Sequence, residues 1–91
     1  MRQVTVFRIV KQHVDAYDYD ALLAQGAPED EFDDISRRIT AGLTPGMSVP
    51  EIAVLMAGVI KADFGDPVNP GDFMQAAGKL HQALHTAGFA R

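Results

Sequence analysis

The sequence contains no cysteine, and it has fewer basic than acidic residues. The absence of cysteine excludes a disulfide scaffold, a thiolate zinc site and a cysteine nucleophile. Eight Lys and Arg against twelve Asp and Glu give a formal net charge of −4, which argues against nucleic acid or an anionic membrane as the main ligand. No apolar run approaches the roughly 20 residues of a membrane span, and the N-terminus lacks a signal-peptide core. We therefore expect a cytoplasmic protein.

Length and composition predict one domain that spans residues 1–91. Hydrophobic residues make up 47% and charged residues 22% of the chain, which is an ordinary globular mixture. A domain of this size buries roughly 60 to 65% of the surface that its unfolded chain exposes, which leaves little room for an enclosed active site. We expect a protein that is not an enzyme and has no cofactor.

Apolar spacing and helix boundary signals predict an all-α fold, a compact bundle of about four short helices. The first helix is expected over about residues 2–16. Val4 to Phe7 is also rich in strand formers, so helix and short strand are both open there, although three-to-four spacing over three turns favours helix. The second helix is expected to begin near Pro28, with the acids 29–31 in its first turn, and to end at Gly42.

The third and fourth helices carry clearer start signals. Ser48 and Glu51 have the spacing of a capping box, and Gly65 is expected to end that helix. Asn69 is expected to cap the fourth helix, which ends at Gly88. The predicted core comprises Val10, Val14, Leu22, Phe32, Ile35, Ile39, Ile52, Leu55, Met56, Val59, Ile60, Phe73, Leu80 and Leu84.

Acidic residues concentrate in one segment between the first two helices. No Lys or Arg falls between Asp15 and Ser36. The segment is either a solvated face or a docking face for a basic partner, and the mutual repulsion of so many carboxylates tilts the choice towards the second. Eight of the twelve acids lie within twenty residues, and we call residues 15–34 the acidic segment: Asp15, Asp18, Asp20, Glu29, Asp30, Glu31, Asp33 and Asp34.

Other chemistry has weaker support in the sequence. A calcium loop counted from Asp18 fails, because Leu22 and Leu23 stand where an oxygen ligand and a glycine are needed. His81 and His85 are four residues apart on the fourth helix, which is half of a metal site without a third ligand nearby, so we predict no metal site. No nucleophile elbow or phosphate-binding loop is present.

The stretch from Tyr17 to Leu43 carries a resemblance to a known family. It reads Tyr17-Asp18-Tyr19-Asp20-Ala21-Leu22-Leu23, then Gly26-Ala27-Pro28-Glu29-Asp30-Glu31-Phe32-Asp33, followed by Ile35, Ile39 and Leu43. It resembles the small bacterial domain of unknown function 1871 family, whose members typically show an aromatic-Asp-Pro opening, a Gly-Ala-Pro segment and an acidic-aromatic-acidic run. The resemblance covers about residues 5–87 and departs at Tyr19, where proline is common. It implies a compact helical domain and assigns no activity and no catalytic residue.

Size, charge and this resemblance together suggest an immunity protein that neutralises a basic, nuclease-type toxin by direct binding, which is an analogy at the level of fold and charge. The alternatives are a helical homo-oligomeric structural or regulatory protein, paired through Ala76, Gly78 and Ala83, or a metal-binding protein that uses His81 and His85. The predicted partner is a basic protein, with neither nucleic acid nor membrane as ligand. The predicted partner-binding residues are Tyr17, Asp18, Tyr19, Asp20, Glu29, Asp30, Glu31, Asp33 and Asp34, with Tyr17 or Tyr19 as an aromatic anchor.

Overall fold

The computed structural model describes residues 3–89, which form an all-α bundle without a strand. Within that range lie four α-helices and two short 3-10 turns. The helices are α1 (Gln3–Tyr17), α2 (Asp33–Gly42), α3 (Val49–Phe64) and α4 (Met74–Thr86). The 3-10 turns are Tyr19–Ala21, after α1, and Pro70–Phe73, before α4. Val4 to Phe7 lies in α1, so the helical alternative for that stretch is confirmed.

The core lies between α1 and α3, which both pack against α2 and α4. The turn Pro70–Phe73 also packs against α3. Leu22, Leu55 and Val59 were expected in the core and are only half-buried, because Leu22 lies in an irregular turn and the other two lie at the edge of the buried arc of α3. The buried apolar residues are Val6, Val10, Val14, Phe32, Ile35, Ile39, Leu43, Ile52, Ala53, Met56, Ala57, Ile60, Phe73, Ala77, Leu80 and Leu84.

The start of α2 differs from the sequence prediction. The helix begins at Asp33, and residues 29–32 form turns instead of its first turn. The amide of Glu31 donates to the carbonyl of Pro28 at 3.0 Å, and the amide of Asp33 donates to that of Asp30 at 3.1 Å. The ammonium of Lys11 in α1 also donates to the carbonyl of Glu29 at 3.1 Å, which holds this segment in a non-helical path. Tertiary contact therefore overrides the local preference for a helix start at Pro28.

The ends of α3 follow the sequence closely. The hydroxyl of Ser48 accepts from the amide of Glu51, and the Glu51 carboxylate accepts from the amide of Ser48 at 2.9 Å, so the capping box is confirmed. The hydrogen bond that the Ser48 backbone amide donates to the Glu51 carboxylate, followed by the interaction with the Ser48 side chain, lowers the pKa of Glu51. Gly65 ends the helix at φ 74°, a left-handed conformation that glycine adopts without strain.

The start of α4 is less regular than predicted. Asn69 accepts a hydrogen bond from the amide of Gly71 at 2.9 Å, but the residues it caps form a 3-10 turn and the α-helix begins only at Met74. Phe89 folds back on α4, with its amide donating to the carbonyl of Leu84 at 2.9 Å. Among residues 3–89, no helix is long and apolar enough to cross a membrane.

Candidate partner-binding surface

The structure divides the acids of the acidic segment into two groups. One group makes ion pairs or hydrogen bonds within the chain: Asp15, Asp18, Asp33 and Asp34. The other group is exposed and takes part in none of the ion pairs found within residues 3–89: Asp20, Glu29, Asp30 and Glu31. We call these four residues the outward acidic quartet.

Lys11 neutralises two of the paired acids. Its ammonium lies 2.8 Å from the Asp15 carboxylate and 2.5 Å from that of Asp33, and it also reaches the carbonyl of Glu29. The hydrogen bonds to Asp15 and then to Asp33 raise the pKa of Lys11. The second oxygen of Asp15, Oδ1, is buried and has no hydrogen-bond partner among residues 3–89. A single cation therefore fastens α1 to the start of α2 and removes two acids from the candidate surface.

Sequence reasoning missed Lys11, because it lies outside the acidic segment. The available signal was its i, i+4 spacing to Asp15 on a predicted helix, which favours a pair. The contact with Asp33 joins residues 22 positions apart, and it could not be obtained from local spacing.

Asp18 has a structural role in the turn that follows α1. Its carboxylate accepts from the amide of Leu23 at 2.7 Å and from that of Ala24 at 3.0 Å. Asp18 itself has a left-handed backbone with φ 51°. Aspartate tolerates this conformation better than most residues, and here its side chain satisfies two turn amides. Asp18 is therefore occupied within the chain.

The turn also holds two further residues in left-handed conformations. Asp20 has φ 57° and Ala21 has φ 54°. Each such residue other than glycine costs on the order of 1 kcal/mol, so the surrounding contacts must fix this turn. The side-chain amide of Gln25 contributes by donating to the carbonyl of Asp20 at 3.0 Å. The carboxylate of Asp20 is left exposed on a well-defined backbone.

Tyr17 is packed against the start of α4. Its ring lies 5.0 Å from that of Phe73 in a stacked arrangement, and its hydroxyl donates weakly to the carbonyl of Asp72 at 3.4 Å. Burial, and then the charge of Asp72, raise the pKa of Tyr17. The ring is half-buried and has its partners within the chain.

Tyr19 is packed against the end of α3. Its hydroxyl donates to the carboxylate of Asp66 at 2.7 Å, and its ring lies 4.9 Å from that of Phe64. The hydrogen bond to Asp66, followed by burial, raises the pKa of Tyr19 to about 12. Both predicted aromatic anchors are therefore already engaged in holding the turn after α1 against the bundle.

The remaining acids lie on the solvent side. Asp34 is exposed and pairs with Arg38, one helical turn later, at 3.2 Å. Glu29, Asp30 and Glu31 occupy the turns before α2, while Asp20 occupies the turn after α1. A shallow depression of about 350 Å³ beside Lys11 is lined by Asp15, Leu23, Ala27 and Glu29. The structure thus brings Asp15, Asp33 and Glu29 together around Lys11 and places Asp20 in a different turn.

The histidines do not form a metal centre within the described chain. Among residues 3–89, no group of three or more His, Cys, Asp or Glu side chains is arranged to hold a metal ion. His81 and His85 remain a pair on α4. His13 lies with its Nδ1 atom 2.8 Å from the carbonyl of Ile9, a local contact within α1.

No family model, no curated protein and no solved structure matches this chain. The resemblance to the domain of unknown function 1871 family therefore stays a prediction.

Proposed function

We propose that this chain is a non-enzymatic binding protein whose partner is a basic protein. The observation that carries the proposal is the outward acidic quartet, which stays exposed and outside the ion pairs of residues 3–89 after the other acids of the segment have found partners. Charges arranged in this way steer the approach of an oppositely charged protein and set its orientation.

Only some of the acids in this region are neutralised by a cation of the chain, which supports an external partner. Lys11 contacts Asp15 and Asp33 through its ammonium, yet it meets Glu29 only through the backbone carbonyl. The Glu29 carboxylate is therefore not paired with Lys11 and stays exposed to solvent. Repulsion among such carboxylates destabilises the folded chain unless a cationic partner relieves it.

More specifically, we propose an immunity protein that binds and neutralises a nuclease-type toxin in the bacterial cytoplasm. Enzymes that act on nucleic acids present Lys and Arg to phosphates, so their active faces attract an acidic surface. The small size, the net charge of −4 and the family resemblance support this assignment. Neither nucleic acid nor an anionic membrane suits a chain of this charge as ligand.

The test begins with capture of the partner. Tagged protein is exposed to extract of its own cell at low salt, and bound proteins are released by a salt step and identified by mass spectrometry. We expect one basic protein, whose affinity falls steeply with ionic strength because exposed charges are screened. A partner that is acidic, or that stays bound at high salt, would contradict the proposal.

Charge reversal locates the surface. The variant Asp20→Lys/Glu29→Lys/Asp30→Lys/Glu31→Lys should lose binding while it keeps the helical circular dichroism of the parent. A matched pair controls for net charge: Asp30→Lys/Glu31→Lys should weaken binding far more than Asp63→Lys/Asp72→Lys, which changes the charge equally on exposed residues outside the quartet. Unchanged affinity in the quadruple variant would rule out this surface.

A further inference from the structure

A small surface cavity lies between α1 and the start of α4, and we call it the α1/α4 cavity. Residues of α1 form one wall, and residues of α4 and of the turn before it form the other. The cavity has a volume of about 150 Å³. At roughly 30 Å³ for each water molecule, it has room for about five waters, or for a ligand with a similar number of heavy atoms. Its size therefore suits a compact metabolite and excludes a drug-sized one.

The α1 wall of the cavity consists of side chains that are already held in place. The Nδ1 atom of His13 lies 2.8 Å from the carbonyl of Ile9, which can only accept, so Nδ1 carries the proton and the ring is held in one orientation. The Tyr17 ring stacks on that of Phe73, and its hydroxyl donates weakly to the carbonyl of Asp72. Ordered side chains lose little conformational entropy when a ligand binds, so this wall is preorganised.

Two alanines leave the space between the walls open. Ala16 lines the cavity from α1, and Ala76 lines it from α4. Ala76 is half-buried and packs on the core, whereas Ala16 is exposed. A larger side chain at position 16 would therefore extend into the cavity without entering the core, which allows the space to be filled by substitution.

The α4 wall carries one acid and one base that do not meet. Asp72 and Lys79 both line the cavity, but neither takes part in an ion pair found within residues 3–89. Seven positions correspond to about two helical turns, roughly 10 Å along the axis, and residues at this spacing lie on the same side of a helix. The charge of Asp72 contributes to the raised pKa of Tyr17, so the carboxylate lies near that hydroxyl. The cavity is thus bordered by opposite charges that leave a gap between them.

We propose that the α1/α4 cavity binds a small zwitterion, an amino acid whose ammonium group meets the Asp72 carboxylate and whose carboxylate meets the Lys79 ammonium. Gln75 also lines the cavity, about one helical turn from each of these two residues. Its side-chain amide both donates and accepts, so it suits the middle of such a ligand. An anion alone would be repelled by Asp72 and a cation alone by Lys79, so the charges select a ligand that carries both.

The ligand site is independent of the binding function proposed above. The part of the chain that the structure describes places no member of the outward acidic quartet in the lining of this cavity. Loss of the basic partner through charge reversal of the quartet should leave amino acid binding unchanged. Failure of either proposal therefore leaves the other standing.

The test is an NMR titration of isotopically labelled protein with glycine, β-alanine and 4-aminobutyrate, in which the separation of the two charges increases. Backbone amide shifts of Ala16, Gln75 and Ala76 report on occupancy of the cavity. A ligand of few atoms held by exposed charges binds weakly, so we expect saturation by at least one probe with a dissociation constant in the low millimolar range.

An equimolar mixture of methylammonium and acetate is the matched control for the ligand, because it supplies the same two charges without joining them. We expect the mixture to give no saturable shifts over the same range. Shifts that stay linear with all three probes up to about 100 mM would overturn the proposal, since no site of useful affinity would exist. Equal saturation by the mixture would overturn the zwitterion as the ligand class.

Charge variants locate the bound ligand. Asp72→Asn and Lys79→Met should each weaken binding of the tightest probe at least fivefold, because each removes one of the two charged contacts. Asp63→Asn and Lys61→Met change the charge equally on exposed residues of α3 and should leave the dissociation constant within about twofold. Equal effects of the cavity variants and the α3 variants would overturn the site.

Filling the cavity gives a test that leaves every charge in place. Ala16→Leu should abolish saturable binding, whereas Ala62→Leu, which alters an exposed alanine of α3, should not. Full affinity in a folded Ala16→Leu variant would overturn the cavity as the binding site. If circular dichroism shows that Ala16→Leu does not fold, the charge variants decide, because Asp72 and Lys79 are exposed.

Discussion

The paired acids and the outward acidic quartet occupy one stretch of sequence but differ in what holds them. Asp15 and Asp33 are fixed by Lys11, and Asp18 by two backbone amides. Asp20 and Glu31 belong to the quartet and have exposed side chains. In the composition, all these residues count as equal negative charges. In the structure, about half of them stabilise the turns on which the other half are exposed.

This difference shows that an acidic cluster should be divided before it is assigned a function. A carboxylate that is hydrogen-bonded within the chain affects the free energy of unfolding, and one that is fully solvated mainly affects association. Variants that change one quantity without the other test whether the division is correct.

Phe32 and Glu31 give the largest expected contrast. Phe32 is fully buried, with its ring 6.4 Å from that of Phe64, and it anchors the end of the acidic segment in the core. Phe32→Ala should lower the free energy of unfolding by about 3 to 5 kcal/mol, a large share of the stability of a small domain. Glu31→Ala, one residue earlier, should change it by less than about 0.5 kcal/mol. Urea unfolding measures both, and similar losses would remove the distinction between the two neighbours.

Lys11 and Lys61 give the next contrast. Lys11→Met leaves the carboxylates of Asp15 and Asp33 without their shared cation and should cost roughly 1.5 to 3 kcal/mol, the usual range for hydrogen bonds to charged groups. Lys61→Met removes an exposed lysine that makes no ion pair within residues 3–89, and it should cost less than about 0.5 kcal/mol. Thermal or urea unfolding makes the comparison. Equal losses would show that the contacts of Lys11 do not stabilise the fold.

The sequence predicts most of the fold, because the relevant signals are local. Apolar residues spaced for a helix indicate α1, α3 and α4, and the capping box places the start of α3 at Val49. The helix start predicted at Pro28 also rests on a local signal, and there the prediction is wrong. Its helix-start signal is genuine, but the contact between Lys11 and the carbonyl of Glu29 is not local and delays the start of α2 to Asp33.

The candidate surface could be predicted only as a region. Composition locates the acidic segment, but it cannot reveal that Lys11 pairs with Asp33 or that Tyr19 bonds to Asp66, since these contacts join residues 22 and 47 positions apart. The left-handed backbone of three residues in the turn after α1 could not be predicted from the sequence either, because Asp18, Asp20 and Ala21 are not glycines. The members of the outward acidic quartet are the acids that such tertiary contacts leave unpaired within residues 3–89, so composition alone could not identify them.

Asp18 and Asp20 should respond in opposite directions. Asp18→Ala removes the acceptor for the amides of Leu23 and Ala24 and should cost about 1 to 2 kcal/mol, as loss of a helix cap does. Asp20→Gly relieves a left-handed conformation at an exposed residue and should gain roughly 0.5 to 1 kcal/mol. Urea unfolding distinguishes them, and a loss at both positions would mean that the Asp20 side chain also supports the turn.

The smallest expected effect appears at alkaline pH, where Tyr19 links the turn after α1 to α3. The hydrogen bond to Asp66 raises its pKa from the ordinary value of 10.0 to about 12, so between pH 10 and 12 the unfolded chain releases a proton that the folded chain retains. Stability from this group is complete below pH 10 and is lost as pH rises to about 12. The raised pKa of Lys11 acts in the same direction above its ordinary value of 10.5. Urea unfolding at intervals from pH 8 to 12 should show a decline that is shallower in Tyr19→Phe, which keeps the ring and loses the proton. An identical decline in that variant would show that the hydroxyl of Tyr19 does not secure the turn that displays Asp20.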